Sequence, residues 1–469
     1  MKKSIGILLV ISIFGCSEKA KKGKVAHTRD NRPNVVYILA DDLGYGDLGS
    51  FGQEEIKTPR LDKMAEDGMV FTDHYAGNTV CAPSRASLMT GLHQGHAPIR
   101  GNRNNVLMEG TFTMARLFKH AGYNTALIGK WGLGDLGSTG TPDQQGFDYY
   151  YGYLSQLLAH NYYPDYLIKN GDSIKLTNEV VKQTKGYAKG KGQAATVKNE
   201  YSHSLLVEDA LSWIKNNKGN PFFLYLPLTI PHANNEGTLT APHGMEVPDL
   251  GRYSKRDWPE AEKAKAAMIS LLDKDVGRIL DLLQTLGLDK NTLVVFTSDN
   301  GPHKEGGIDP DFFDSNGPLK GTKRDLYEGG IRVPFIAQWK GKIDPGKKSE
   351  LPTAFWDMVP TFAEILDTDL KVDTDGISFL PTLLGSSDTQ KREGYLYWEF
   401  GEGNHDAQAV REGKWKLIYR YRINSWELYD LSMDLGESEN VIEDNPEIAK
   451  RLKAYMAKAH VPHEDYPLE

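Results

Sequence analysis

The sequence predicts an α/β protein: a large mixed, mostly parallel sheet with helices on both faces, then a small C-terminal antiparallel sheet with a helix. Three observations carry this reading. Short continuous apolar runs recur between residues 34 and 339, as in strands buried on both faces. Stretches of helical period separate them, and strands alternating with helices build parallel sheets. From about Gly376 the texture changes to short strands spaced by turns.

Taken in order, Lys2 and Lys3 precede the apolar run Ile5 to Phe14, too short to span a bilayer and suited to the h-region of an export signal. The run ends in Ile13-Phe14-Gly15-Cys16, which resembles a bacterial lipoprotein cleavage box with an acylated cysteine. Residues 1–16 are therefore expected to be a lipoprotein-type signal peptide and 17–31 a Lys-rich tether. The protein is expected to be exported, as a periplasmic or cell-surface lipoprotein of a bacterium, meeting a membrane only through its lipid anchor. Residues 32–375 form the expected catalytic α/β domain. Its strands are Asn34 to Ala40, Thr125 to Ile128, Phe222 to Leu228, Leu293 to Phe296 and Val333 to Trp339. Its helices are Ser84 to Thr90, Thr113 to His120, Ser202 to Asn217 and Glu260 to Leu286. Residues 376–469 form the smaller α+β subdomain. There Gly394 to Phe400, Ala407 to Arg411, Trp415 to Tyr419 and Trp426 to Leu428 precede a helix at Pro446 to Ala459.

Composition narrows the function classes. The chain is 39% hydrophobic and 25% charged, which argues against disorder. A net charge of −8 gives no basic footprint for nucleic acid, so an anionic substrate needs a local cluster of cations. Cys16 and Cys81 are the only cysteines, and with Cys16 acylated no disulfide is available to Cys81.

Polar punctuation follows several predicted strands: Asp41-Asp42, Lys130, Pro231-His232 and Asp299-Asn300. Ligands of open α/β sheets bind beyond the carboxyl ends of strands, so these residues are expected to meet at one rim. Adjacent carboxylates such as Asp41 and Asp42 repel and call for a cation, and hard oxygen donors favour calcium or magnesium. Asp299 and Asn300 offer further oxygens. Cys81-Ala82-Pro83-Ser84-Arg85 precedes a helix that Ser84 is placed to cap, and Arg85 adds a guanidinium for an oxyanion.

The stretch Cys81-Ala82-Pro83-Ser84-Arg85-Ala86-Ser87-Leu88-Met89-Thr90-Gly91 resembles the C-x-P-S-R signature of the type I sulfatases, formylglycine-dependent members of the alkaline phosphatase-like superfamily that include bacterial polysaccharide sulfatases. The resemblance runs in order through Asp41-Asp42, Gly129-Lys130-Trp131, Pro231-His232, Ser298-Asp299-Asn300-Gly301, Gly321-Thr322-Lys323, Glu328 to Pro334 and Glu427 to Leu431. It implies a sulfuric ester hydrolase acting on sulfated sugar or oligosaccharide. It implies that a maturation enzyme oxidises Cys81 to formylglycine, whose hydrate attacks sulfur. It further implies one calcium ion held by Asp41, Asp42, Asp299, Asn300 and an oxygen of the oxidised Cys81. Arg85, Lys130 and Lys323 are implied to stabilise charge on the sulfate and the nucleophile, and His232 to protonate the leaving oxygen.

One departure stands out. Many members carry His after Gly-Lys-Trp, whereas this chain has Gly132. Either water serves as the base or another residue does, and His160, and after it His303, are the expected replacements as base or substrate contact. Glu402 and His405 are expected to hydrogen-bond sugar hydroxyls, and Tyr162, Tyr163 and Trp398 to stack on a pyranose. The rival readings are a phosphoester or phosphonate monoester hydrolase of the same superfamily, and a non-catalytic sulfated-glycan binding protein. The retained set of Cys81, Arg85, Lys130, His232 and Lys323 argues against the binding protein. His243 has no assigned role.

Overall fold

Five strands run parallel at the centre of the main sheet: Thr292–Ser298, Asn34–Asp41, Phe222–Pro231, Asn124–Lys130 and Tyr149–Tyr153, side by side in that order. The computed structural model describes residues 32–386, 390–403 and 405–468. The expected signal peptide, Cys16 and the tether lie outside the described residues. All eight residues of Asn34–Asp41 are buried, as the continuous apolar run predicts. Successive side chains point to opposite faces. Val36, Ile38 and Ala40 pack into a core built with the helices Ser202–Asn217 and Glu260–Thr285. Val35, Tyr37 and Leu39 enter a second core with Cys81–Thr90, Met114–His120 and Met358–Ile365. Helices therefore cover both faces, and the carboxyl ends of the parallel strands share one rim.

The edges of the ten-stranded sheet are mixed. Phe335–Gln338 runs antiparallel to Thr292–Ser298, followed by Met69–Phe71 and Lys347–Ser349. Tyr166–Lys169 and Asp172–Lys175 close the other side as antiparallel strands. The strand expected over 333–339 is thus shorter than the apolar run. Tyr149–Tyr153 escaped the sequence reading because its tyrosines and Gly152 lack strand-like alternation. Its glycine has a packing reason: a Cβ on Gly152 would lie 2.1 Å from the carbonyl oxygen of Gly129 on the adjacent strand.

The C-terminal meander Leu396–Phe400, Ala407–Glu412, Trp415–Arg420 and Ser425–Asp430 matches the expected antiparallel sheet. One face packs Val410, Leu417 and Leu428 against Leu452 and Met456 of the helix Pro446–Ala459. The other sets Trp398 and Ile418 against Tyr75 and Trp356 of the large domain. Buried Lys416 links the two parts, 2.9 Å from both Glu328 and Glu437. Among the described residues no helix is long and apolar enough to cross a membrane.

Candidate active site

The rim gathers the residues that the strand ends carry. Asp41 closes its strand, and Asp42 then turns the chain with φ +64°, a left-handed conformation that aspartate tolerates better than most side chains. The Asp42 N–H donates to Asp299 Oδ1 at 3.1 Å, and Asn300 Nδ2 donates to Asp42 Oδ1 at 2.6 Å. The helix beneath starts at Cys81, three residues earlier than expected, with Val80 as its N-cap. Ser84 does not cap it; its hydroxyl instead accepts from the Gly77 N–H at 3.0 Å. Cys81 Sγ donates to Asp41 Oδ1 at 3.3 Å. Arg85 lies one helical turn on and shares that face. Its Nε and Nη2 both donate to Asp299 Oδ2, at 3.0 and 2.8 Å, and its Nη1 donates to the Lys130 carbonyl at 2.5 Å.

Three buried carboxylates thus meet three buried cations. Lys130 Nζ lies 2.7 Å from Asp41 Oδ2, and Lys323 Nζ lies 2.8 Å from Asp42 Oδ2. Burial favours the protonated form of Asp41, but Lys130, His232 and Arg85 outweigh it and hold this acid below the usual carboxylate range. Asp42 is also held low, Lys323 outweighing the effect of burial. Asp299 goes the other way: burial and the charge of Asp41 raise it to about 7. Burial and Asp41 push the Cys81 thiol well above its ordinary value, so an unmodified thiol here yields little thiolate. Burial and then Lys323 hold His232 far below the ordinary imidazole value. The His232 Nδ1–H donates to the Ala233 carbonyl at 2.6 Å, which leaves the Nε2 lone pair to accept from Lys323 Nζ at 3.1 Å.

The donor set fits a hard divalent cation. Asp41, Asp42, Asp299 and Asn300 supply carboxylate and amide oxygens within one buried cluster. Asn300 Oδ1 is buried with no hydrogen-bond partner, which a cation would supply. Ligand atoms of Asp41, Asp42, Cys81 and His232 all lie within 4.8 Å of one another.

A cavity of about 370 Å³ opens beside this cluster, lined by Cys81, His232 and Lys323 and, across from them, His160, Glu236 and Gln156. His160 therefore reaches the site. Its ring stacks on His232 at 4.9 Å and 14°, and its Nδ1 lies 3.1 Å from Glu236 Oε2. A Cβ on Gly132 would fall 2.3 Å from Gln156 Nε2, so Gln156 fills the space that a side chain at position 132 would take. That amide nitrogen is buried without a partner.

The other expected contacts do not line this cavity. His303 sits behind Asp42, its Nδ1 accepting from the Glu305 N–H at 3.0 Å and its Nε2 lying 3.4 Å from the Pro231 carbonyl. Glu402 accepts from the N–H groups of Asn102 and Arg103, at 2.7 and 3.2 Å, so it shapes the loop that brings Asn102 to the cavity. His405 lines a separate narrow cleft that shares Arg324 with the main cavity. Trp398 is fully buried and donates to the Ala76 carbonyl, and Tyr162 is fully buried with its hydroxyl on the carbonyls of Thr229 and His232. Tyr163 is also buried, so none of the three presents a face to a sugar. Gln156, Glu236 and Asn102 were missed because they come from loops with no motif, and only the fold brings them to residue 81.

Comparison with known proteins agrees with this geometry. Residues 33–368 match the family model described as Sulfatase, and residues 321–461 match one described as N-sulphoglucosamine sulphohydrolase, C-terminal. An N-acetylgalactosamine-6-O-sulfatase of Bacteroides thetaiotaomicron is 30% identical, with 95% of this chain and 96% of that protein covered. Human arylsulfatase A is also 30% identical, covering 90% of this chain and 86% of that protein. Among solved structures, Ps i-CgsB in complex with k-i-k-neocarrahexaose superimposes with a TM-score of 0.76 at 27% identity, covering 91% of this chain and 92% of the other. The phosphonate monoester hydrolase of Agrobacterium radiobacter shares the fold, with a TM-score of 0.63 at 20% identity and 93% and 99% coverage. Strand-end acids, a cysteine heading a buried helix and a family match over most of the length converge: the chain belongs to the sulfatase family, enzymes that hydrolyse sulfuric esters.

Proposed function

We propose that this chain removes sulfate from a 6-sulfated galactose-type or N-acetylgalactosamine-type sugar, with residue 81 working as formylglycine beside one calcium ion. The observation that carries the proposal is Cys81 at the rim, 3.3 Å from Asp41 and facing the same cavity as His232 and Lys323. The sugar class rests on the similarity to N-acetylgalactosamine-6-O-sulfatase. Asp41, Asp42, Asp299 and Asn300 would hold the calcium. Formylglycine at residue 81 would supply, once hydrated, an oxygen nucleophile for sulfur, and a cation held by these four residues would favour its deprotonated form.

The chain's own residues do the rest. Lys323 faces the cavity and binds a sulfate oxygen, while Arg85 and Lys130 add fixed positive charge behind the acidic cluster, where negative charge spreads during transfer. An arriving sulfate ester places its negative charge beside Lys323 and His232, which favours the imidazolium. His232 Nε2 then donates a proton to the leaving sugar oxygen. His160, with Nδ1 engaged by Glu236, keeps Nε2 free as a proton acceptor on the side where Gly132 offers none. Export, a lipid anchor at Cys16 and a dedicated maturation enzyme complete the proposal, which places a sulfated polymer or oligosaccharide outside the cytoplasm as substrate.

The test pairs a substrate panel with a leaving-group series. Regio-defined sulfated monosaccharides should release inorganic sulfate, with the 6-sulfates ahead, while phosphonate monoesters should turn over poorly. His232→Ala should cut kcat/KM for sugar sulfates by about 10²–10⁴ but spare nitrophenyl sulfate, whose leaving oxygen needs no proton. Equal losses on both substrates would remove the general-acid role.

A further inference from the structure

The strands Glu179–Lys182 and Gln193–Val197 pair only with each other, so their hairpin stands outside the main sheet. Its connecting loop nevertheless reaches the catalytic cavity, where Gln183, Lys185, Tyr187 and Ala188 join Cys81 and His232 in the lining. The loop is closed on itself: the Gln183 N–H donates to the Gly192 carbonyl and the Gly190 N–H to the Gln183 carbonyl, each at 2.8 Å. It is also seated on the pocket wall. A Cβ on Gly192 would lie 2.6 Å from the Glu236 carboxyl group, and Glu236 is the partner of His160.

Two side chains of this loop line the cavity without entering the core. Tyr187 is 69% exposed, and its hydroxyl donates to the carbonyl of Asn102, another cavity residue, at 3.3 Å. That bond holds the ring at the cavity mouth with its apolar face in water, where covering it with something flat and apolar would be favourable. The C–H face of a pyranose meets that need. Lys185, on the same wall, makes no ion pair among the described residues. Glu236 is the acid sharing this cavity, and its carboxylate is taken up by His160.

We propose that loop 183–192 is the sugar-recognition element of this enzyme: Tyr187 stacks on the sugar that carries the scissile sulfate, and Lys185 pairs with a second anionic group, carboxylate or sulfate, on the adjoining residue. This rests on the sulfated-carbohydrate reading above and adds that the substrate is an oligosaccharide of more than one charge.

Three 6-sulfated disaccharides test it, with a neutral, a carboxylated or a sulfated neighbour, alongside the sulfated monosaccharide. Tyr187→Ala should raise KM about tenfold on all four with little change in kcat, as expected for about 1.4 kcal/mol of ring stacking. Tyr187→Phe keeps the ring and should retain most of the affinity. Lys185→Ala should raise KM about threefold to fivefold for the charged disaccharides only, and the larger loss identifies the anion. In a Cys81→Ala background, Tyr187→Trp should report sugar binding through its emission without turnover. An unchanged KM in Tyr187→Ala, or equal losses for Lys185→Ala on neutral and charged disaccharides, would overturn the proposal. If the unaltered enzyme releases no sulfate from any sugar, the substrate reading fails instead.

Discussion

Cys81→Ala is expected to abolish sulfate release, to below about a ten-thousandth of the unaltered rate, and to leave the protein folded. The loss is expected to be this large because the nucleophile has no understudy. Under the proposed mechanism Cys81 is the one described residue of the cavity lining that would become the reacting group, and the cations around it would have nothing to act on once it is gone. Folding survives because the side chain makes one weak sulfur hydrogen bond, to Asp41, at the first position of a helix whose other contacts are unchanged. Its removal costs about 1 kcal/mol or less. An urea transition close to that of the unaltered protein, together with absent turnover, is the expected pair of results. Normal turnover by this variant would remove residue 81 from the chemistry.

Chelation gives the second large effect. Stripping divalent ions should abolish activity and lower the melting temperature, and calcium should restore both. Three buried carboxylates and an orphaned amide oxygen form the basis for this. Arg85, Lys130 and Lys323 neutralise part of the charge, yet Asp299 is still raised to about 7 by burial and by Asp41. A divalent ion bound only by the folded state would relieve that repulsion, so calcium at a hundred times its Kd would add about 2.7 kcal/mol of stability. The thermal shift should persist in Cys81→Ala, because the four oxygen donors remain. Indifference of both activity and melting to chelation would exclude a metal at this cluster.

The sequence made the fold and the residues of the strand-end rim legible for one physical reason. Parallel strands place their carboxyl ends on a common rim, so acids and cations that follow apolar runs are bound to converge. Asp41, Asp42, Lys130, His232, Asp299 and Asn300 all met in this way. The helix starts at Cys81, three residues before the expected Ser84; Cys-Ala-Pro does not resemble a helix start unless Pro83 is placed in the first turn. The far wall of the cavity was not legible. His160 was reached only through the missing side chain at Gly132, while Gln156, Glu236 and Tyr187 belong to loops whose course no period or motif predicts. Aromatic residues misled: Trp398 and Tyr162 resemble sugar platforms but serve the core, and among the described residues lining the cavity the exposed ring is Tyr187. Glu402 misled in a related way, since its carboxylate is taken up by backbone amides rather than offered to a ligand.

The central claim is that residue 81 acts as an aldehyde and not as a thiol. Mass spectrometry of the peptide spanning Val80 to Arg85, taken from a preparation of full activity, measures this directly. The expected peptide is lighter by the difference between a thiol and an aldehyde side chain, reactive toward hydrazide and inert to thiol alkylation. A fully active preparation whose peptide is quantitatively alkylated at Cys81 would contradict it.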